Sequence, residues 1–394
     1  MIDPLVHRKF LMIIFCQLVV CLSIRAQNIQ DLSFGTESTL EIMTWNIENF
    51  PKKGATTVNY VIDIIEALDV DILALQEIED INSFNQMVNS LDSYDGYLES
   101  TFFAGLGFIY KPEVIQIDDI YEIYTTSEYW SFFPRSPMVM EMKYMDEGFI
   151  VINNHFKCCG DGFLDVDNTN DEETRRYVAS NLLKEYVDTN FPDENVIIVG
   201  DLNDNLSDDS QNNVFQMILD DDQYLFADLD ISDGNNSEWS FPTWPSHLDH
   251  ILITNEIFTD FEKTDSDIQT IKVDEYLTGG WLEYEENISD HRPVALKLSV
   301  SANLAVADLD NDKPAFINFP NPFGLETTFT FSLSAAPNEI EIFNLNGQKM
   351  VSLTLREGQS FIKYNADKLS NGIYIAKLRF NNTSVTTRKL VVIK

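Results

Sequence analysis

The sequence has few cysteines, which limits how the chain can be held together. Only four occur among 394 residues, and two of them, Cys16 and Cys21, lie in the first 26 residues. The other two, Cys158 and Cys159, are adjacent, so the chain is not a small scaffold held by several disulfides. Because a trans peptide fixes neighbouring Cα atoms about 3.8 Å apart, below the usual disulfide range, this pair forms either a strained bridge or two thiols.

Basic residues are scarce as well. The chain has 26 Lys and Arg against 64 Asp and Glu, a formal net charge of −38. Residues 27–313 carry a net charge of −44, whereas residues 314–394 carry +4. So acidic a region repels nucleic acids and anionic lipid head groups unless divalent cations screen its charge. The alternative is that the charge only keeps the protein soluble in a salty extracellular medium. The opposite signs predict two domains with different tasks.

The N-terminal apolar run is too short for a membrane-spanning helix. Arg8 and Lys9 precede FLMIIFCQLVVCLSI, and the small residue Ala26 follows closely. The run falls short of the roughly 20 residues that a spanning helix needs. Its charge pattern is typical of a secretion signal, so we predict a signal peptide over residues 1–26. A retained anchor and a lipid-modified Cys21 are the alternatives.

From residue 39 to residue 300, short apolar runs alternate with helical patterns. TLEIMTWNI and DILALQE predict strands, whereas VNYVIDIIEAL and INSFNQMVNSL have the apolar spacing of helices. Two further helices are predicted, a charged one over about residues 172–188 and another near residues 212–219. This alternation is typical of an α/β domain, which we assign to residues 27–300.

The pattern changes towards the C-terminus. Residues 301–313 lose the alternation and are predicted to be a linker. Residues 314–394 contain short strand-like segments separated by turn signals such as NLNGQ and LSNGIY, which predict a small all-β sandwich. No internal repeat connects the two parts of the chain.

Polar side chains stand at the ends of six predicted strands. Four strands end in such groups and two later strands begin with them: Asn46 and Glu48, Glu77, His155, then Asp201, Asn203 and Asp204, and finally Asp249, Asp290 and His291. If the first four strands share a direction and the last two run antiparallel to them, all these groups meet at one edge. Four of the five histidines lie in these segments, His247 and His250 among them. A single histidine is more often a hydrogen-bonded core or surface residue, but this joint placement favours a site.

These residue types suit a hard divalent cation. Carboxylates and amides without cysteine favour Mg²⁺ or Mn²⁺ over structural zinc. Clustered carboxylates repel one another, and a cation between them removes that cost. Such a site suits phosphate ester hydrolysis, because a metal neutralises the charge that develops on the phosphate oxygens. A histidine oriented by an aspartate supplies a base for water.

Two acidic loops have alternating carboxylates like those of calcium-binding loops. They are Asp165–Glu173 and Asp308–Lys313. Neither has the glycine at the sixth position or the glutamate at the twelfth that such a loop uses. Solvated surface is the simpler interpretation, and Ca²⁺ as an additional structural ion is the alternative.

The blocks TWNIE, LQE, NNH, GDLND, LDHILI and SDHRPV occur in this order over about residues 38–300. The series resembles the endonuclease/exonuclease/phosphatase superfamily, which includes pancreatic-type deoxyribonuclease, abasic-site endonucleases, inositol polyphosphate 5-phosphatases and bacterial sphingomyelinases. The resemblance implies a four-layered α/β sandwich, in which two packed mixed β-sheets are flanked by helices. It also implies a metal-dependent hydrolase acting on phosphate esters.

The resemblance implies roles for single residues. The metal ligands would be Glu77, with Asn46 and Glu48 beside it, and Asp290. The catalytic residues would be Asp201 and Asn203, which orient water and phosphate, His291 as general base or phosphate-polarising group held by Asp249, and His155 as a phosphate contact or acid. Substrate binding would fall to Arg135 and Lys157, for which a salt bridge and a solvated charge are the simpler interpretations. Asp204, His247 and His250 would support these groups.

The tail resembles a second family. FPNPF, NLNGQKM, LSNGIYIAKL and RKLVVIK are similar to the C-terminal sorting domain of type IX secretion in Bacteroidota. The resemblance implies that residues 314–394 interact with the type IX machinery and that the protein is secreted or held at the cell surface. It implies no stable protein partner. A glycan-binding β-sandwich is the alternative.

Together these features predict a secreted phosphodiesterase, with extracellular nuclease as the favoured activity and nucleic acid as its substrate. The alternatives are a sphingomyelinase-type phospholipase or a phosphomonoesterase of the same superfamily, and a non-enzymatic surface protein on a degenerate phosphoesterase fold. Residues 27–313 hold only 14 Lys and Arg, with no basic run longer than two. The strong grip on duplex DNA shown by some superfamily members is therefore not predicted.

Overall fold

A computed structural model of the chain describes residues 27–99, 104–300, 316–331, 337–345, 347–356, 359–380 and 384–394. The predicted signal peptide and the predicted linker with its acidic loop lie outside these ranges. The chain forms two compact units that divide between residues 302 and 303. Among the described helices, none is long and apolar enough to cross a membrane.

The first unit alternates strands and helices. Its elements are β1 Leu40–Phe50, α1 Ala55–Leu68, β2 Ile72–Ile78, α2 Ile81–Val88, β3 Asp95–Leu98, β4 Gly105–Tyr110, β5 Gln116–Glu122, β6 Met138–Tyr144, β7 Glu147–His155, α3 Glu172–Asn190, β8 Asn195–Asp201, α4 Gln216–Leu219, β9 Tyr224–Phe226, α5 Leu229–Ser232, β10 Asp249–Thr254, α6 Phe258–Phe261, β11 Asp267–Thr270, α7 Gly280–Asn287 and β12 Val294–Leu298. Short 3-10 helices cover Ile29–Asp31, Asn236–Glu238, Asn255–Ile257 and Val273–Tyr276.

These strands form two six-stranded sheets. The first has the order β11-β12-β1-β2-β4-β3, and the second has the order β5-β6-β7-β8-β10-β9. Both are mixed: β1 is parallel to β2 and β7 to β8, whereas β12 runs antiparallel to β1 and β10 antiparallel to β8. In each sheet, the strands that end in polar groups and those that begin with them therefore present these groups at the same edge, as predicted.

The two sheets pack face to face, and helices cover their outer faces. In β1, Ile42 belongs to the core between the sheets and Met43 to the core under α1 and α2. In β8, Ile197 faces the first sheet and Ile198 packs in the core that includes Leu183 of α3. Successive strand residues point to opposite faces, and both faces are buried, so these strands read as continuous apolar runs. The predicted four-layered α/β sandwich is confirmed.

One helix is shorter than predicted. The sequence predicts a helix near residues 212–219, but only Gln216–Leu219 is helical. Asn213 is buried, and its side chain donates to the Leu206 carbonyl at 2.7 Å and accepts from the Phe215 N–H at 2.8 Å. Asparagine side chains that bond the local backbone in this way compete with helix formation, so the turn persists up to Phe215.

The second unit is built from β-strands. They are β13 Phe316–Phe319, β14 Glu326–Phe331, β15 Pro337–Asn344, β16 Lys349–Thr354, β17 Phe361–Asn365, β18 Gly372–Phe380 and β19 Ser384–Val392. A three-stranded sheet, β13-β14-β17, and a four-stranded sheet, β16-β15-β18-β19, are both antiparallel. Phe329 of the first and Ile340 and Leu378 of the second share one buried core. The predicted all-β sandwich is thereby confirmed.

Candidate active site

The polar strand ends of both sheets meet in one cleft of about 1060 Å³. Eight of the residues assigned to the site or its support from the sequence line it: Glu77, Arg135, His155, Asp201, Asn203, Asp204, Asp290 and His291. Asn46 and Asp249 contact members of this set, and Lys157 lines an adjoining depression together with Glu77 and Arg135.

Unusual backbone conformations turn several of these side chains into the cleft. Glu77 and Asn203 have φ angles of +63° and +56°, in the left-handed region that non-glycine residues seldom adopt. Glu48 also has a positive φ, in a stretch of β1 where the pairing with β2 shifts register. Gly200 is required by packing, because a Cβ there would lie 2.0 Å from the Asn154 carbonyl oxygen of β7. Such strain concentrates at functional sites.

Asn46 ties the two sheets together at the centre of the site. Its Nδ2 donates to Glu77 Oε1 at 3.1 Å and to Asp201 Oδ2 at 3.0 Å. Its Oδ1 accepts from the Glu48 N–H at 3.0 Å, and the second oxygen of Glu77 accepts from the Asn49 N–H at 2.9 Å. Because Asn46 is almost fully buried, these bonds fix the Glu77 carboxylate relative to Asp201.

His291 is held by an aspartate. Its Nδ1 lies 2.7 Å from Asp249 Oδ2, and its Nε2 lies 3.8 Å from Asp201 Oδ2 and 3.9 Å from Asp290 Oδ1. The Phe241 ring packs on the imidazole, with 4.7 Å between the ring centroids. Burial disfavours the charged imidazole, but Asp249 and Asp201 outweigh it and raise the pKa of His291 to about 10. At neutral pH the ring is therefore an imidazolium with Nε2–H at the cleft.

Asp201 is the carboxylate that all the central groups share. Its Oδ2 is approached by Asn46, by His155 Nε2 at 3.4 Å and by His291. Its Oδ1 accepts from the Asn203 N–H at 3.1 Å. Burial, reinforced by neighbouring carboxylates, raises the pKa of Asp201 to about 7. A carboxylate with this pKa exchanges protons near neutral pH, which is what a general base requires.

His155 differs from His291 in its charge. Burial, followed by the positive charges of Arg135 and His291, holds the pKa of His155 well below its usual value. The imidazole is therefore neutral at physiological pH. Its Nδ1 is buried without a hydrogen-bond partner in the described part of the chain. A neutral imidazole beside Asp201 can donate a hydrogen bond to a phosphate oxygen.

The donor set at this edge fits a hard divalent cation. Burial raises the pKa of Asp290 to about 6, and the carboxylates of Glu48 and Glu77 add to the shift. Glu48 also pairs with Lys52. Three converging carboxylates, without a thiolate among them, match the oxygen ligands of Mg²⁺ or Mn²⁺. Asp201, Asp249 and His291 also offer three ligand atoms within 4.8 Å, but Asp249 already holds His291 by a hydrogen bond.

The two basic residues predicted to bind substrate lie beside the carboxylates. Arg135 lines both the main cleft and the adjoining depression. Lys157 lies two residues beyond the end of β7, and its Nζ donates to the Cys158 carbonyl at 2.8 Å. The rim of the cleft is apolar in part, since Phe163 and Trp244 line it with 67% and 75% of their surfaces exposed.

A second polar network lies behind the cleft. Asp228 Oδ2 is 2.6 Å from His250 Nδ1 and 3.0 Å from His247 Nε2, and all three residues are buried. His250 Nε2 bonds the Asp204 carbonyl at 2.9 Å, and Arg176 Nε donates to the Asp204 carboxylate at 2.8 Å. His247 and His250 thus lie behind the residues that line the cleft, and His250 and Arg176 hold Asp204, which is itself one of them.

Sequence reasoning missed Asp228 and Arg176. Asp228 follows β9 by two residues, so the strand-end rule that identified the other carboxylates also applies to it. Arg176 lies on the charged helix α3 and gives no comparable signal. Its position becomes evident only from the packing of α3 against the loop after β8.

The comparisons with known proteins agree with this geometry. The sequence profile described as Endonuclease/Exonuclease/phosphatase family matches residues 43–291, more than half of the chain. The chain belongs to this family. A second profile, the secretion system C-terminal sorting domain, matches residues 318–394. The protein is thus a family member with a phosphoesterase fold and a tail that indicates export by type IX secretion.

Solved structures that are similar to this chain have low sequence identity to it. D. rerio TDP2 complexed with single strand DNA product has a TM-score of 0.51 and 14% identity, over 66% of this chain and 99% of that one. The human Nocturnin catalytic domain with bound sulfate has a TM-score of 0.48 and 13% identity, over 68% and 96%. At 14% identity, the likeness to TDP2 shows the fold alone. Curated proteins give no significant sequence match.

Proposed function

We propose that the protein is an exported, divalent-metal-dependent phosphodiesterase whose substrate is nucleic acid. The observation that carries the proposal is the meeting of Asp201 and the Asp249–His291 pair with the carboxylates of Glu77 and Asp290 in one cleft. Family membership supports phosphate ester chemistry. The DNA product in the D. rerio TDP2 structure supports nucleic acid as the substrate class.

A cation would be held by Glu77 and Asp290, with Asn46 and Glu48 beside them. Bound there, Mg²⁺ or Mn²⁺ supplies positive charge that neutralises phosphate oxygens. The need for such a charge is pronounced in this chain, because residues 27–313 carry a net charge of −44 and repel a polyanion. Arg135 and Lys157 would bind the flanking phosphates.

The protein's own residues would divide the proton transfers among them. Asp201, with a pKa of about 7, accepts the proton of the attacking water, which the Asn203 amide helps to orient. His291 is already protonated, so it serves as the phosphate-polarising group and donates Nε2–H to an oxygen that gains charge. Asp249 holds the ring in the required orientation. Neutral His155 donates a second hydrogen bond to the phosphate.

A panel of phosphate esters tests the proposal. The full chain is incubated with plasmid DNA, single-stranded oligonucleotides, bis-p-nitrophenyl phosphate, p-nitrophenyl phosphate and sphingomyelin, with Mg²⁺ or with EDTA. We expect Mg²⁺-dependent cleavage of the nucleic acids and of the diester, and its loss in EDTA. Turnover of the monoester alone, or undiminished turnover in EDTA, would contradict the proposal.

A sphingomyelinase-type activity is the second candidate, because Phe163 and Trp244 expose apolar surface at the cleft. Exposed aromatic rings suit stacking on nucleobases, and they equally suit contact with a lipid surface. Hydrolysis of sphingomyelin without cleavage of either nucleic acid would establish this candidate. Binding to any of these substrates without turnover would instead identify a non-enzymatic surface protein.

A further inference from the structure

Two adjacent thiols form part of the wall of the catalytic cleft. Cys158 and Cys159 lie just beyond the end of β7, whose last residue is His155. Both are exposed free cysteines, and both line the cleft. The proposed phosphodiesterase chemistry uses neither of them. They are also the only cysteines of the sequence beyond residue 26.

The two sulfurs already face each other. Cys159 Sγ donates to Cys158 Sγ at a distance of 3.0 Å. Cys159 has a φ of +74°, in the left-handed region, so the chain turns sharply at this residue. A disulfide has an S–S distance of about 2.0 Å. A movement of about 1 Å would therefore bring the two sulfurs to bonding distance.

Arg176 holds the backbone around the two cysteines by hydrogen bonds. Its Nη1 donates to the Lys157 carbonyl at 2.8 Å and to the Cys159 carbonyl at 2.6 Å. Its Nε is bound to Asp204 in the loop after β8. The guanidinium is nearly fully buried, so the two peptide groups that flank the Cys158–Cys159 pair are held in place. The thiols are thus presented as a pair.

We propose that Cys158 and Cys159 are a reversible redox site, in which oxidation joins them as a vicinal disulfide within the cleft wall. The sorting domain supplies the context, because export takes the chain through compartments where disulfides form and persist. There the exposed thiols meet small-molecule disulfides.

The oxidation is a two-step thiol–disulfide exchange. The Cys158 thiolate attacks one sulfur of a small-molecule disulfide such as oxidised glutathione, and one thiolate leaves. The Cys159 thiolate then attacks Cys158 Sγ, and the second thiol of the oxidant leaves. The two protons lost by the cysteines pass to the two leaving thiolates, so the protein loses two electrons and the oxidant gains them. Lys157 Nζ, 3.5 Å from Cys158 Sγ, stabilises the attacking thiolate.

The bridge is expected to be easily reduced. Neighbouring Cα atoms lie about 3.8 Å apart across a trans peptide, whereas unstrained disulfides need about 4.4 to 6.8 Å. Strained, exposed disulfides have more oxidising potentials than structural ones. The pair therefore acts as a reversible site and not as a permanent crosslink.

Oxidation would change the cleft through Lys157. Its ammonium is bound to the Cys158 carbonyl and lies next to the Cys158 sulfur. Closing the ring moves both groups, so the position of the ammonium changes with the redox state. This consequence rests on the proposed function, in which Lys157 binds a substrate phosphate. We expect the KM for a phosphodiester to change about threefold or more.

Mass measurement tests the redox site without any need for activity. The full chain is equilibrated with mixtures of reduced and oxidised glutathione, trapped with N-ethylmaleimide and digested. Under reducing conditions, we expect the peptide with Cys158 and Cys159 to carry two N-ethylmaleimide adducts. Under oxidising conditions, we expect it to carry none and to have a mass lower by two hydrogens than the unmodified dithiol peptide. Two adducts at every ratio, or glutathione adducts alone, would overturn the proposal.

Cys159→Ser provides the matched control. It cannot close the ring, so Cys158 should collect one glutathione under oxidising conditions. A Cys158 that stays unmodified there would overturn its assignment as the attacking thiol. The KM for bis-p-nitrophenyl phosphate is then compared between oxidised and reduced protein, with the Cys158→Ser, Cys159→Ser double variant as reference. An unchanged KM in the fully oxidised wild type would contradict the proposed effect of oxidation on Lys157. Absence of turnover in both redox states would contradict the proposed phosphodiesterase function and leave the redox site unaffected.

Discussion

The molecule contains two aspartate–histidine pairs that differ in access to solvent. Asp249 lies 2.7 Å from His291 Nδ1, and Asp228 lies 2.6 Å from His250 Nδ1. In both pairs, burial opposes the charged imidazole and the aspartate outweighs it, so the pKa of each histidine is raised. Only His291 lines the cleft. The two pairs have similar electrostatics, and only the pair at the cleft is in a position to take part in the proposed chemistry.

The pleat of β10 separates the two pairs. Asp249 and His250 are consecutive, and successive strand residues point to opposite faces. Ile251 belongs to the core between the sheets, whereas Leu252 belongs to the core under α3. By this alternation Asp249 shares the inner face of the sheet, and His250 shares the outer face with aromatic neighbours such as Phe215, 5.9 Å away between ring centroids.

The largest effect is expected from breaking the buried pair. Asp228→Ala leaves His250 and the Ile251 N–H, which donates to Asp228 at 2.8 Å, without their partner. Removing one member of a buried ion pair typically costs about 3 to 5 kcal/mol of unfolding free energy. All five tryptophans lie in residues 45–281, so tryptophan fluorescence in urea measures this unit alone. Wild-type stability in Asp228→Ala would show that the network is not structural.

The matching substitution in the cleft should have the opposite profile. His291→Ala is expected to lower the turnover of bis-p-nitrophenyl phosphate at least about 100-fold, because the phosphate-polarising group is lost. Unfolding in urea should change less than in Asp228→Ala, because Asp228 holds two histidines and a backbone N–H, whereas His291→Ala removes only one partner of Asp249. If His291→Ala has normal turnover and a large loss of stability, His291 has a structural role like that of His250, and the two pairs do not differ in function.

The pH dependence of stability should differ in sign between Asp201 and Asp228. Burial raises the pKa of Asp201 from 3.8 to about 7, so the folded state keeps a proton that the unfolded chain has lost. This contribution is complete below pH 4 and is lost as the pH rises through 7. Burial also acts on Asp228, but His250 and His247 lower its pKa. Its contribution is complete above pH 4 and is lost as the pH falls.

Asparagine substitutions test these signs by urea unfolding in EDTA at pH 3, 4, 6 and 8. Asp201→Asn should be more stable than wild type by about 2 kcal/mol or more at pH 8 and indistinguishable from it at pH 4. Asp228→Asn should be less stable than the wild type from pH 8 down to pH 4, and this deficit should shrink only below pH 4, where the unfolded chain of the wild type takes up a proton. The same sign of pH dependence in both variants would contradict the assigned environments.

The strand-end rule located most of the site from sequence because direction and period in strands are strict. It placed Glu77, Asp201 and His291 together without knowledge of the packing. The rule also applies to Asp228, which follows β9, but only the tertiary structure shows that this carboxylate bonds His250 and not His291. Arg176 could not be found at all, because its role depends on how α3 packs beneath the loop after β8. Tertiary contacts of this kind produce no periodic pattern in the sequence.

The smallest effect should come from the rim, which is the most accessible part of the cleft. Trp244 exposes 75% of its surface and lines the cleft. Stacking of a base on an aromatic ring contributes about 1 to 3 kcal/mol. Trp244→Ala should therefore raise the KM for a single-stranded oligonucleotide at least about fivefold and leave that for bis-p-nitrophenyl phosphate nearly unchanged.

Trp130 provides the matched control for the rim. It is 59% exposed but is not among the residues that line the cleft. Trp130→Ala should leave both KM values near those of the wild type. If both substitutions raise the KM for the oligonucleotide equally, exposed apolar surface anywhere on the protein contributes to binding, and the cleft has no special role. If Trp244→Ala raises the KM for sphingomyelin and not that for the oligonucleotide, the rim binds a lipid substrate. The pair at the cleft would then serve the hydrolysis of a phospholipid and not of a nucleic acid.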